Sequence, residues 1–149
     1  MRYFEDFNAG DVRELGSVTI SESEIVEFAS RFDPQTFHVD PEAAKEGPFG
    51  GLIASGWHTT AVFMGMFVRA VLLDSASLGS PGVEEIRWLA PVRPGDELRG
   101  RSTILETRAS ETNAGRGTVI TRNEVLNQDD VVVMTMKARG FFARRPTST

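Results

Sequence analysis

The first half of the chain has a hydrophobic spacing typical of helices. Its apolar side chains recur every three or four residues: Ile25, Phe28, Ala29 and Phe32. Such a spacing puts the four side chains on one face of a helix. Ser21 and Glu24 stand just before it at the spacing of a capping box, which is a helix start signal. We therefore expect an amphipathic helix here, preceded by a strand over residues 12–20.

The segment 57–74 is apolar on almost every side, and Arg69 interrupts its longest apolar run between residues 61–68 and 70–73. A helix of a soluble protein that is apolar all round is normally buried. We therefore expect one long central helix, with Met64, Met66 and Phe67 in the core. Its apolar run is shorter than the roughly 20 residues that a membrane-spanning helix needs.

The second half alternates turn residues with runs of β-forming residues. The predicted strands cover residues 83–89, 97–108, 116–126 and 131–142. This spacing is typical of antiparallel strands in a meander. A strongly curved antiparallel sheet wrapped around the central helix would bury both elements, so the fold class is expected to be α+β.

Composition narrows the possible partners and the cellular location. A chain of 149 residues is expected to form one domain, 1–149. The net charge of −5 argues against nucleic acid or an anionic membrane as the main partner. The chain has no cysteine, which excludes disulfides and agrees with a reducing cytoplasm. The N-terminal residues lack the features of a secretory signal, so we expect a soluble cytoplasmic protein.

The clearest candidate for chemistry is the motif Asp33-Pro34-Gln35-Thr36-Phe37-His38. Proline ends the preceding helix and disfavours a helical conformation at Asp33. A second short helix is expected to begin after it, with Asp40 as N-cap, Pro41 in the first turn and Gly47 as C-cap. A kinked loop between two helix ends can direct a carboxylate and an imidazole to one point, as an acid/base pair requires. The alternative is a simple helix stop beside a structural histidine.

The order of elements and three motifs resemble the MaoC-like hydratases and dehydratases, relatives of the (R)-specific enoyl-CoA hydratases. The motifs are Asp33-Pro34-Gln35-Thr36-Phe37-His38-Val39-Asp40, Leu52-Ile53-Ala54-Ser55-Gly56-Trp57 and Pro91-Val92-Arg93-Pro94-Gly95-Asp96. The likeness covers nearly the whole chain. It implies a single hot-dog domain, in which a curved sheet surrounds the central helix.

The resemblance also implies roles for individual residues. The aspartate and histidine of the family's catalytic pair correspond to Asp33 and His38, with the same spacing. The oxyanion donor, a backbone N–H at the start of the central helix, corresponds to Gly56; Ser55 and Trp57 flank it as substrate-binding candidates. For Trp57 the alternative is an aromatic side chain of the core. The family pattern Asp-x-Asn-Pro-x-His is altered here, because Pro34 directly follows Asp33 and Gln35 replaces the asparagine.

The function implied by this resemblance is reversible addition of water to the C2–C3 double bond of a 2-enoyl-CoA thioester. No cofactor is required, and a homodimer or dimer of dimers is expected. Two alternatives stay open: a hot-dog thioesterase, and a non-catalytic acyl-CoA-binding subunit. Thioesterases of this fold usually place a lone carboxylate on or near the central helix, whereas Asp33 and His38 precede it.

Two further groups have weaker functional interpretations. His58 has no carboxylate or second histidine at ligand spacing on its helix, so no metal site is expected. We interpret it as a helix-start residue, with lining of the pocket as the alternative. Four arginines are candidates for contacts with CoA phosphates, or else solvated strand residues: Arg87, Arg93, Arg99 and Arg101.

Overall fold

The computed structural model describes residues 1–148, so Thr149, the end of the predicted domain, lies outside the described residues. One strand and then the α-helices make up the first half, and strands dominate the second half, as the sequence predicts. The helices are α1 (Glu22–Phe32), α2 (Thr36–Val39), α3 (Pro41–Lys45) and α4 (Gly56–Ala70), with 3-10 turns at Phe4–Asp6 and Leu72–Asp74. The strands are β1 (Val12–Thr19), β2 (Val83–Trp88), β3 (Glu97–Ala109), β4 (Arg116–Leu126) and β5 (Val132–Ala143).

All five strands form one antiparallel sheet in the order β1-β3-β4-β5-β2. The register of β1 against β3 shifts between Glu14 and Ser17, where Gly16 has a φ of 87°. This backbone angle suits glycine because it has no Cβ, and the resulting bulge increases the local twist of the edge strand. The predicted α+β fold, a curved antiparallel sheet with one long central helix, is confirmed.

Helix α4 is less enclosed than its sequence predicts. Phe63 and Met66 are buried in the core of the domain, but Trp57 is 56% exposed and Met64 47% exposed. The expectation of a helix buried on every side is therefore wrong, as is the placement of Met64 in the core. A single sheet covers only one side of a helix, and the other apolar side stays uncovered in one chain. The segment Gly56–Asp74 also has the length and apolar composition of a membrane span, with a mean hydropathy of 1.2.

Most of the predicted helix ends are confirmed. Ser21 and Glu24 form the capping box of α1, and the Asp40 carboxylate accepts the Ala43 N–H at the start of α3. The predicted C-cap at Gly47 is wrong by one residue, because α3 ends with Glu46 as its C-cap. The Gly47 N–H still donates to the carbonyl oxygen of Ala44 in the last turn.

Candidate active site

Asp33 and His38 lie on either side of a sharp change in chain direction. Asp33 is the C-cap of α1, and its N–H donates to the Ala29 carbonyl oxygen at 2.8 Å. Pro34 prevents the helix from continuing. The prediction of a loop over this segment is only partly right, since Thr36–Val39 forms one helical turn, α2, and carries His38. This turn brings the imidazole back toward the carboxylate.

The two side chains meet as the sequence predicts. Nε2 of His38 lies 3.3 Å from Oδ2 of Asp33. On the other side of the ring, Nδ1 lies 2.7 Å from the carbonyl oxygen of Ile53. A carbonyl oxygen can only accept a hydrogen bond, so Nδ1 carries the hydrogen. When the ring is neutral, its unprotonated nitrogen is therefore Nε2, on the side of Asp33.

Two side chains donate hydrogen bonds to the Asp33 carboxylate. Gln35 Nε2 donates to Oδ1 at 2.8 Å, and Ser55 Oγ donates to Oδ2 at 2.8 Å. Burial raises the pKa of Asp33, but the bonds from Gln35 and Ser55 and the nearby His38 outweigh it and leave the pKa below its usual value. The carboxylate is therefore ionised near neutral pH.

The start of α4 supplies the third part of the site. Gly56 is its first residue, so its N–H belongs to the first turn, which a helix cannot satisfy internally. The indole of Trp88 packs against this glycine, and a Cβ there would lie 2.3 Å from Cδ2 of Trp88. Trp88 Nε1 donates to Thr60 Oγ1, which in turn donates to the Gly56 carbonyl oxygen. Only glycine fits beneath the indole without moving it.

A cavity of about 570 Å³ opens over these groups. Asp33, His38 and Gly56 all line it, together with Trp57 and Trp88. Trp57 is half-exposed at this wall, not a core aromatic. The predicted catalytic pair and the predicted oxyanion donor therefore share one cavity.

Ser55 has a different position from the one predicted. It is fully buried, and the described residues that line the cavity do not include it. Its hydroxyl accepts the N–H of Trp57 as the N-cap of α4 and donates to Asp33. Ser55 thus links the start of the central helix to the Asp33 carboxylate and does not line the cavity.

The second histidine, His58, is buried away from this cavity. Its ring stacks on Phe28 of α1, with centroids 4.6 Å apart and planes 9° from parallel. Its Nδ1 is buried and finds no hydrogen-bond partner among the described residues. Burial lowers the pKa of His58, while the charge of Glu24 acts in the opposite direction. The described residues around either main cavity do not include His58, so the prediction that it is a helix-start residue fits better.

The four candidate arginines are all occupied within the chain. Three of them form ion pairs, Arg87 with Glu85, Arg99 with Asp130 and Arg101 with Glu124. Arg93 donates to the carbonyl oxygen of Phe49, which lines the cavity. Arg93 is therefore the one that lies near the candidate site. Over residues 1–148, no group of three or more His, Asp or Glu side chains is positioned to hold a metal ion.

Sequence reasoning missed several partners of the pair. The Ile53 carbonyl, the Ser55 hydroxyl and the Trp88 indole all reach the site from other segments of the chain. A backbone carbonyl leaves no pattern in the sequence, and neither does a hydroxyl that comes from a distant segment of the same chain. The contact of Gln35 with Asp33 could have been predicted, because Gln35 occupies the position of an asparagine in the family motif and is two residues from Asp33.

Several known proteins are similar to this chain in sequence and in structure. A family model described as the MaoC like domain matches residues 7–127. The crystal structure of a MaoC-like dehydratase from Rhodospirillum rubrum has a TM-score of 0.91 and 38% identity, covering 99% of this chain and 100% of that one. The 3-hydroxyacyl-thioester dehydratase Z of Mycobacterium tuberculosis is 33% identical over 133 residues, which cover 84% of this chain and 88% of the relative.

A further solved structure supports the description of the fold. It is a Mycobacterium tuberculosis protein with a double hot-dog fold, with a TM-score of 0.74 and 21% identity. The match covers 99% of this chain and 46% of that protein. At this level of identity the likeness concerns the fold alone. It identifies the curved sheet and its central helix as a hot-dog domain.

Proposed function

Because this chain belongs to the family of MaoC-like domains, we propose that it adds water reversibly to the double bond of a 2-enoyl-CoA thioester. The product is a 3-hydroxyacyl-CoA. The observation that supports this most strongly is that Asp33, His38 and Gly56, the first residue of α4, all line one cavity. The relative from Mycobacterium tuberculosis is named for dehydration of a 3-hydroxyacyl thioester, the reverse direction of the same reaction.

The pair is arranged to hold one water molecule. An ionised Asp33 and an unprotonated Nε2 of His38 are both acceptors, and their atoms lie 3.3 Å apart. A water beside the pair donates one hydrogen to Nε2 of His38 and lies next to the Asp33 carboxylate. Its oxygen lone pairs then point away from the protein, toward C3 of the substrate. This orientation is the part of the reaction that solution water lacks.

We assign the role of base to His38. The hydrogen bonds that lower the pKa of Asp33 also make this carboxylate a weaker base. As the water oxygen bonds to C3, one water O–H bond breaks and its proton moves to Nε2 of His38. The imidazolium is then flanked by two acceptors, the Ile53 carbonyl oxygen at Nδ1 and Asp33 at Nε2. It returns a proton to C2, which completes the addition and restores the neutral ring.

Negative charge develops on the thioester oxygen between these two proton transfers. The electron pair of the C2–C3 double bond shifts toward C1 as water adds, giving an enolate. The N–H of Gly56, at the positive end of α4, is the proposed donor to this oxygen. A donor of this kind contributes on the order of 10²–10³ in rate. The reaction forms one C–O bond and moves two protons, without a change in overall oxidation state, so no redox cofactor is needed and we propose that no metal is used. The proposed compartment is the cytoplasm.

The proposal is tested with a panel of 2-enoyl-CoA substrates of increasing chain length. Loss of the conjugated enoyl absorbance is followed in parallel with release of free thiol. Hydration predicts the first without the second. Release of thiol at the same rate would instead support a thioesterase, and no change in either signal over the panel would support a non-catalytic acyl-CoA-binding subunit.

We further propose that the protein is a homodimer or a dimer of dimers. The edge strand β2 pairs with β5 on one side only, and its Val83 and Trp88 are about half exposed. Open strand edges favour pairing with another chain. The exposed apolar side of α4, with Trp57 and Met64, is a surface that a second copy would cover. Light scattering after gel filtration should give twice or four times the chain mass; a monomer at micromolar concentration would contradict this.

A further inference from the structure

A second cavity lies between α4 and the concave face of the sheet, with a volume of about 670 Å³. Its walls are mostly apolar and include Ala61, Met64 and Phe67 of the helix and Ile104 and Met136 of the sheet. Trp57 lines this cavity as well as the one above Asp33 and His38. Trp57, the residue after the proposed oxyanion donor Gly56, therefore borders both cavities.

The sheet side of this apolar cavity carries a row of polar side chains. They are Ser102 on β3 and Thr121 and Asn123 on β4, all of them lining the cavity. Their exposed fractions are 4%, 8% and 1%. On β4, Thr121 and Asn123 belong to the alternate residues that face inward, together with Val119 and Val125. Three adjacent buried polar residues are unexpected at positions where a core strand would carry apolar ones.

Hydrogen bonds connect the row in one direction. Ser102 Oγ donates to Asn123 Oδ1 at 2.7 Å, and Asn123 Nδ2 donates to Thr121 Oγ1 at 3.1 Å. In the part of the chain that the structure describes, no hydrogen bond is donated by the Thr121 hydroxyl. The row thus ends in a hydroxyl whose hydrogen has no acceptor among the described residues, on a side chain that lines the apolar cavity. A buried donor of this kind favours a ligand that supplies an acceptor.

We propose that this row recognises an oxygen atom on the distal part of the acyl chain. The inference rests on the proposed function, in which the thioester lies at Gly56 and the chain passes Trp57 into the second cavity. All three side chains are uncharged, so the row itself supplies no counter-charge for a carboxylate and suits a keto, hydroxyl or ether oxygen better. Arginines also line the cavity, namely Arg2, Arg13 and Arg139, and the last of these is paired with Glu84. The substrate class is therefore a 2-enoyl thioester with an oxygenated tail.

Binding measurements test this without relying on turnover. Isothermal titration compares saturated acyl-CoAs, which cannot be hydrated, with matched oxo-acyl-CoAs in which the keto group is moved one carbon at a time. For one keto position we expect affinity about tenfold higher than for the plain chain, the value of one good hydrogen bond. Thr121→Val should abolish this preference, since valine has the same shape and no hydroxyl. Thr121→Ser should retain it.

Thr118→Val is the matched control, because Thr118 is on the same strand but faces the opposite side of the sheet. It should keep the preference of the wild-type protein. Equal affinity for plain and oxo chains at every position would overturn the inference and leave the proposed function intact, as would a preference that survives in Thr121→Val. Failure to bind any acyl-CoA would overturn the proposed function and this inference together.

Discussion

The surroundings of the two histidines show what separates a candidate catalyst from a buried ring. His38 and His58 are almost equally buried, at 5% and 8% exposed, and both lie close to the start of α4. Nδ1 of His38 bonds to the Ile53 carbonyl oxygen, and its Nε2 faces a carboxylate at the wall of a cavity. His58 stacks on Phe28 and leaves a buried nitrogen without a partner among residues 1–148.

Burial alone therefore does not create a reactive histidine. Around His38, fixed acceptors define which nitrogen carries the hydrogen and stabilise the ring when it takes a second one. Around His58, burial lowers the pKa and the ring stays neutral as a flat packing element. The same residue type serves chemistry in one place and packing in the other, according to what surrounds it.

Replacing each histidine should give the largest contrast. His38→Ala and Asp33→Asn should each lower the hydration rate by at least about 10²-fold, because proton transfer through the pair is lost. His58→Phe, the matched control, should change it by less than about twofold. Steady-state kinetics on one enoyl-CoA, with circular dichroism to check folding, measures all three. Near-normal turnover in His38→Ala would remove the pair from the mechanism.

A smaller loss is expected from Gly56→Ala. The added Cβ would meet the Trp88 indole, which must move and alter both the cavity wall and the approach to the Gly56 N–H. We expect turnover to fall between about 10-fold and 100-fold. Gly65→Ala is the control on the same helix, where the new methyl group meets only the flexible end of Arg69. An equal loss in both variants would indicate a general effect on the helix.

Removing the hydroxyl of Ser55 should sharpen the assignment of Asp33. Without this donor the pKa of Asp33 rises, so the part of the acid-side fall in activity that comes from protonation of this carboxylate should move to higher pH. Turnover at neutral pH should fall about tenfold. Ser21→Ala removes an N-cap hydroxyl of α1 instead and should leave the profile in place. Identical pH profiles for Ser55→Ala and the wild type would contradict the role given to Ser55.

The sequence predicts a feature when the residues that form it lie close together along the chain. The capping box of Ser21, the N-cap of Asp40 and the five-residue spacing of Asp33 and His38 are local, and the structure contains each of them. The exposure of Met64 depends on how much of α4 one sheet can cover, which apolar spacing does not reveal. The Ser55–Asp33 bond joins residues 22 positions apart and could not be inferred from either segment.

The smallest effect concerns His58 and stability in acid. Its pKa is lowered in the folded chain, so below a pH of about 6.5 the unfolded chain binds a proton that the folded chain does not. The free energy of unfolding should therefore decrease as pH falls through this range. His58→Phe should show a smaller decrease, because the proton uptake at this position is gone. The urea midpoints of the wild type and of His58→Phe at about pH 7.5 and 5.5 measure this decrease. An equal decrease in both proteins would contradict the role given to His58.

The most direct measurement of the central claim is mass spectrometry of the product formed from an enoyl-CoA in oxygen-18 water. Addition of water at C3 by Asp33 and His38 predicts a 3-hydroxyacyl-CoA with one heavy oxygen on C3 and an intact thioester. Label in a free carboxylic acid together with released CoA, or an unlabelled and unchanged enoyl-CoA, would contradict it.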